Sequence, residues 1–90
     1  MFTLVTTKQF EKDYKLCIKR GYKLIELNKL VELLEKNGTV STKYKPHKLS
    51  GDYNEHWECH IKPDWLLIWI KKESQNEIVL TRTGTHADLF

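Results

Sequence analysis

The apolar positions change period partway along the chain. Phe10, Tyr14 and Cys17 recur at helical spacing, and so do Leu24, Leu27, Leu30, Val31 and Leu34, with Lys and Glu between them. Such stripes mark amphipathic helices that bury one face. Thr6-Thr7-Lys8-Gln9 fits a capping box for the first helix, with the Thr6 hydroxyl accepting from the Gln9 amide. Gly21 supplies a left-handed stop, and Asn37-Gly38 ends the second helix. The short link around Gly21 makes the two an antiparallel hairpin. Ahead of them, Phe2-Thr3-Leu4-Val5 reads as a short strand.

Residues 37–55 read as loop, with a short edge strand near residues 48–50. Beyond them the pattern is β. His56–Lys62, Trp65–Lys72 and residues 77–83 are runs rich in Ile, Val, Trp and Thr, separated by Pro63-Asp64 and by Glu73-Ser74-Gln75-Asn76. Links this short join antiparallel neighbours, so the three form a meander. The expected fold is α+β: a two-helix hairpin on one face of a mostly antiparallel sheet of 4–5 strands, closed by a short C-terminal turn.

Unbroken pairing sets a register. Closing Lys62 on Trp65 opposes His60 to Leu67 and Glu58 to Trp69; closing Lys72 on Glu77 opposes Leu67 to Arg82 and Trp69 to Leu80. Opposed residues project to one side. One face then carries Trp57, Cys59, Ile61, Leu66, Ile68, Ile70 and Val79 and receives the helices. The other carries His56, Glu58, His60, Lys62, Trp65, Leu67, Trp69, Leu80 and Arg82, with His60 and Arg82 in one row roughly 10 Å apart. A one-residue slip in either hairpin would exchange the faces. Thr85, with Asp88 three residues on, caps a last turn that holds His86 near this row.

Ninety residues make a single domain, 1–90. Mean hydropathy of −0.55 and 40% apolar residues describe a globular chain. No apolar run has the length of a membrane span and no signal peptide is visible, so the expected compartment is the cytoplasm. Cys17 and Cys59 share no recognisable spacing and read as small buried side chains in a reducing compartment. The net charge of +3 is unevenly spread: residues 37–51 hold three lysines and no acid, while residues 52–90 hold four cations against seven acids. Lys43-Tyr44-Lys45-Pro46-His47-Lys48 interleaves cations with an aromatic ring, which suits a polyanion.

The candidate chemistry lies in His60-Ile61-Lys62-Pro63-Asp64-Trp65 and Arg82-Thr83-Gly84-Thr85-His86. Cleaving RNA through its own 2′-hydroxyl needs a base, a cation at the phosphoryl oxygens and an acid for the leaving 5′-oxygen. Histidine serves either proton role near neutral pH, arginine pairs with phosphate, and Trp65 or Phe90 could stack on a base. A metal site is not expected. His56, Cys59 and His60 look zinc-like, but strand rise separates the imidazoles by about 13 Å and turns Cys59 to the opposite face. No Gly-rich phosphate loop or nucleophile elbow is present, and no cofactor is expected.

These blocks, with Tyr44-Lys45-Pro46-His47-Lys48-Leu49, resemble the RelE/ParE toxin superfamily and within it the YafQ-like mRNA interferases of type II toxin–antitoxin systems. The resemblance runs the whole length. It implies a ribosome-dependent endoribonuclease that cuts mRNA in the A site and is held by a cognate antitoxin, the complex binding operator DNA through that antitoxin. His47, His60, Asp64, Arg82 and His86 match the catalytic positions; Lys45, Lys48, Lys62, Trp65 and Phe90 are expected to bind substrate. His86 is the expected acid and Arg82 the clamp, with the base left open between His60 and Asp64. Trp57 departs from the pattern, since relatives usually carry a basic residue there, so a substrate-backbone contact is either lost or supplied by Lys62 instead. The alternative is a non-nuclease of the same superfamily, a ParE-like gyrase inhibitor, or a plain RNA- or DNA-binding module.

Overall fold

The computed structural model describes residues 1–90. Strand β1 (Thr3–Thr6) leads into α1 (Lys8–Lys19) and α2 (Leu24–Asn37), then come β2 (His47–Lys48), β3 (His56–Lys62), β4 (Trp65–Lys72), β5 (Glu77–Gly84) and the single-turn α3 (His86–Leu89). The sheet order is β1-β5-β4-β3-β2, antiparallel except for the β1–β5 pair. This is the expected α+β architecture, with the edge strand at His47–Lys48 rather than at residues 48–50.

The helices start and stop for local reasons. Thr7, not Thr6, caps α1: its hydroxyl accepts from the Phe10 amide at 3.0 Å and donates to the Thr81 carbonyl at 3.1 Å. Thr6 is the last β1 residue and its hydroxyl donates to Glu11 instead. Gly21 and Gly38 take the left-handed conformation just past the two helices. The helix pair buries Phe10, Cys17, Leu27, Leu30 and Leu34 against Cys59, Ile61, Trp65, Leu67, Trp69, Ile78 and Leu80 of the sheet.

Two β-bulges reset the register. Lys62 pairs with Trp65 and Lys72 with Glu77, as unbroken pairing requires. The β3–β4 ladder then shifts between His60 and Lys62, so that His60 opposes Leu66 and Glu58 opposes Ile68. The β4–β5 ladder shifts between Ile68 and Trp69, so that Trp69 still opposes Leu80 but Arg82 opposes Ile68. An extra residue turns everything beyond it to the other side of the sheet. Trp65, Leu67, Trp69 and Leu80, expected on the open face, therefore lie in the core. Leu66 and Ile68, expected under the helices, lie on the open face beneath Leu89, with Leu49 and Tyr53 packed on them. Two β4 carbonyls accept from β5 hydroxyls near the irregularity: Thr81 donates to Ile68 at 3.0 Å and Thr83 to Leu66 at 2.7 Å.

Gly38 combines a φ of 73° with crowding, since a Cβ there would fall 2.6 Å from the Phe2 ring and 2.9 Å from Lys71. Gly38→Ala is predicted to destabilise the fold by more than about 1 kcal/mol, read as a lower urea midpoint at unchanged m-value.

Candidate active site on the open face of the sheet

The bulged register draws two rows across the open face. The first runs His47–Glu58–Ile68–Arg82 through β2, β3, β4 and β5. The second, one pleat along, runs His60–Leu66–Gly84. His60 and Arg82 thus share a face, as expected, but not a row. Gly84 takes a φ of 155°, and a Cβ would meet the Asp88 carboxylate at 2.8 Å, so this row ends without a side chain and passes the chain to Thr85 and His86.

Three imidazoles line up above these rows. The His47 and His60 ring centres are 6.2 Å apart, and those of His60 and His86 5.9 Å. Below the first two lies Glu58, only 4% exposed. Its Oε1 is 3.2 Å from His47 Nε2 and 3.9 Å from His60 Nε2, while its Oε2 has no hydrogen-bond partner. A carboxylate so withdrawn from water is costly unless a cation or proton answers it, and two imidazoles are in position to do so. The other nitrogens of both rings face backbone oxygens, His47 Nδ1 at 2.8 Å from Lys45 O and His60 Nδ1 at 3.4 Å from Pro63 O.

His86 is held from behind. Asp64 Oδ1 accepts from the His86 backbone N–H at 2.9 Å and lies 2.6 Å from its Nδ1. A carboxylate on Nδ1 fixes the proton there and leaves Nε2 without a protein partner, so Nε2 is free to exchange a proton with a substrate. The hydrogen bond from the His86 backbone, followed by that from its ring, holds the Asp64 carboxyl below its ordinary range. The turn itself is pinned by Asp88, which closes the Thr85 capping box and receives Arg20 through two contacts at 2.6 and 3.0 Å. Arg20, then Thr85, push the Asp88 carboxyl far below the usual carboxylate value.

Arg82 is aimed by helix α1. The Asp13 carboxylate accepts from Arg82 Nε at 2.7 Å, from Arg82 Nη2 at 3.2 Å, from the Thr83 N–H at 3.1 Å and from Gln9 at 3.0 Å. This fork leaves Nη1 outside the Asp13 clamp, with Tyr53 beside the guanidinium, which remains about one quarter exposed. The Asp13 hydrogen bonds raise the Arg82 pKa, so the cation persists at every working pH.

The five expected catalytic residues, His47, His60, Asp64, Arg82 and His86, thus come together. Of the expected binding residues, Lys45, Lys48 and Lys62 are exposed. Phe90 is 64% exposed, edge-on to Tyr53 with ring centres 5.2 Å apart. Lys48 and Lys62, opposite Trp57 and Trp65, project to the helix side, and Trp65 departs furthest from the expected placement. It is 4% exposed in the core, 4.8 Å from the Tyr22 ring, and its indole N–H donates to Thr83. Trp57 faces the helix side, stacked at 6.5 Å on Trp69 beneath Lys48. Burial pushes the Cys59 thiol up to about 12, with Glu58 adding to it, so this cysteine is no nucleophile.

Sequence reasoning gave no role to Glu58, Asp13 or Tyr53. Glu58 carried a usable signal, a carboxylate within an apolar strand two residues before a histidine. Asp13 and Tyr53 carried none, since each reaches the site across dozens of residues of intervening chain.

Two outcomes follow. Trp65→Phe is predicted to lower stability by about 1 kcal/mol through the lost Thr83 bond, measured by urea unfolding. Carbon-detected NMR titration should place Asp64 below a free aspartate, and His86→Ala should raise it only part of the way, because the backbone N–H remains. A carboxyl lowered in the fold lends stability that is complete above the unfolded value near ~3.9 and lost as pH falls through the folded value. The Asp64–His86 and Asp88–Arg20 contacts should therefore hold at neutral pH and open only on strong acidification.

Comparison with known proteins shows the family and the fold. Residues 2–90 match the family described as "Bacterial toxin of type II toxin-antitoxin system, YafQ". The mRNA interferase toxin YafQ of Escherichia coli K12 is 39% identical over 83 residues, covering 91% of this chain and 88% of that protein. A metal-bound toxin from Helicobacter pylori superposes with a TM-score of 0.91 at 41% identity over the full length of both chains. YafQ in its complex with DinJ from Escherichia coli gives 0.90 at 34% identity, covering 100% of this chain and 99% of that one. In the present chain no three His, Cys, Asp or Glu side chains gather as a metal-holding group.

Proposed function

The chain belongs to the YafQ family of type II toxins, and from that premise we propose that it is a ribosome-dependent endoribonuclease cutting mRNA in the A site. The observation that carries the reading is the line of three imidazoles, with one carboxylate under its first two members and another fixing its third.

In the proposed reaction the substrate supplies its own nucleophile. The 2′-oxygen of the nucleotide before the cut gives up its proton and attacks the neighbouring phosphorus, the bond from phosphorus to the 5′-oxygen breaks, and that oxygen is protonated as it leaves. The products are a 2′,3′-cyclic phosphate and a 5′-hydroxyl, with the proton count balanced between base and acid. His86 is the acid, since Asp64 holds its Nδ1 and leaves Nε2 for the leaving oxygen. Asp64 is thereby the orienting partner. His60, beside the Glu58 carboxylate, takes the 2′-hydroxyl proton. Arg82 offers Nη1 to the phosphoryl oxygens, where charge builds in the transition state. His47 holds the RNA backbone, and Phe90 stacks on a base. No step runs through a metal.

A cell full of mRNA requires such a surface to be covered until needed. The proposed partner is a cognate antitoxin, with operator DNA bound through that antitoxin, and the proposed compartment is the cytoplasm. No helix is long and apolar enough to cross a membrane.

The test is primer extension on mRNA from a translating extract. The wild-type chain should generate discrete ends within the reading frame that vanish when the ribosome is withheld. His86→Ala should lower the cleavage rate about 10²–10⁴-fold, the usual worth of one positioned acid, with a circular dichroism melt close to wild type. Undiminished cutting by that variant would remove His86 from the mechanism.

A further inference from the structure

Where β2 leaves β3, the sheet opens a cavity beside His60. The two strands pair only at His47–Glu58 and Lys48–Trp57. One residue before β2, Pro46 has no N–H to continue the ladder, and Lys45 adopts a left-handed φ of 54° that carries the chain away. On the facing strand a bulge interrupts β3 between His60 and Lys62. The gap holds a cavity of about 360 Å³ between the 43–45 segment and residues 60–63, within the size range of small-molecule sites.

Its lining has a definite chemistry. Lys43, Lys45 and Lys62 stand around it, and none of the three takes part in any of the ion pairs of the molecule. Tyr44 offers a ring face, with the Lys43 ammonium 5.0 Å from its centre, and Ile61 and Pro63 supply apolar wall. No acid lines it. Unpaired cations around an aromatic and apolar floor are the combination that holds single-stranded nucleic acid, phosphate on the ammonium groups and base on the ring.

The order of groups gives the RNA a direction. The cavity borders His60, and His86 lies on the site's other flank, 5.9 Å from His60 and outside the cavity lining. With His86 at the leaving 5′-oxygen and His60 at the 2′-hydroxyl, the chain downstream of the cut departs past His86 and the chain upstream passes over His60. We infer that this cavity is a subsite for the nucleotide on the 5′ side of the cut, its lysines gripping the 5′-phosphate of the nucleotide that carries the attacking 2′-hydroxyl. The inference rests on the acid and base positions proposed above.

The experiment separates binding from cutting. Ribosomes are programmed with a synthetic mRNA that is 2′-deoxy at the cut nucleotide, which removes the nucleophile, and binding of the labelled full chain is titrated by fluorescence anisotropy. The Lys43→Ala, Lys45→Ala, Lys62→Ala triple variant should bind about tenfold or more weakly, the equivalent of at least one charged hydrogen bond. A neutral methylphosphonate replacing the phosphate just 5′ of the cut nucleotide should weaken the wild type by a similar factor and leave the triple variant unchanged. A methylphosphonate two linkages downstream serves as the control. The inference is overturned if the wild type does not bind, if it ignores the upstream methylphosphonate, or if the two losses multiply independently; the last two outcomes would assign the lysines to ribosomal RNA. Failure of the nuclease reading is separate: a wild type showing the coupling, yet leaving the all-ribose mRNA intact, would sink that reading alone.

Discussion

The Asp13 carboxylate is the contact on which both the fold and the open face depend. β1 pairs with β5 only as far as Leu80, so the rest of that outer edge needs another partner. Helix α1 supplies it: Thr7 takes the first steps, and Asp13, 7% exposed, receives the Thr83 N–H. The same carboxylate clamps two nitrogens of Arg82. A buried carboxylate is tolerable here because it is answered by a cation and two further donors. Removing it would leave an open edge, an orphaned amide and an unaimed guanidinium together.

From that clamp the electrostatics of the open face follow a simple division. Acids at its margin are stabilised as anions: Asp64 by the His86 backbone and ring, and Asp88 by Arg20 and Thr85. They act as fixed supports for the C-terminal turn. The acid at its centre, Glu58, is buried with one oxygen unpaired and imidazoles beside the other. Fixed charge at the rim thus borders a buried carboxylate flanked by two imidazoles at the centre. The cations around the cavity, Lys43, Lys45 and Lys62, are by contrast left without carboxylate partners, so their field projects outward, as suits a polyanion.

Much of this was legible in the residues. Helical spacing located α1 and α2, with Gly21 and Gly38 at their ends. Alternating β-rich runs located β3 and β4 to the residue, and Thr85 with Asp88 located the final turn. The faces were not legible. A bulge adds one residue to one strand without changing its composition, so nothing in Ile61 or Thr81 announces it. Unbroken pairing misplaced all of β4, putting Trp65 on the open face. His60 and Arg82 still came out together, because the first bulge exchanges the faces and the second exchanges them back.

The sequence by itself determined which segments are helix and strand, where they end to within a residue or two, and which side chains could exchange a proton or hold a phosphate. Those properties depend on local spacing, capping and intrinsic pKa. Only the tertiary structure decided which of those side chains meet. Asp13 reaches Arg82 across the whole chain, Glu58 comes to lie beneath two imidazoles, and Trp65 turns inward to Thr83, because side-chain direction in a sheet depends on inter-strand register. Register is set by bulges and by the packing of both faces at once, and no local stretch of sequence contains that information.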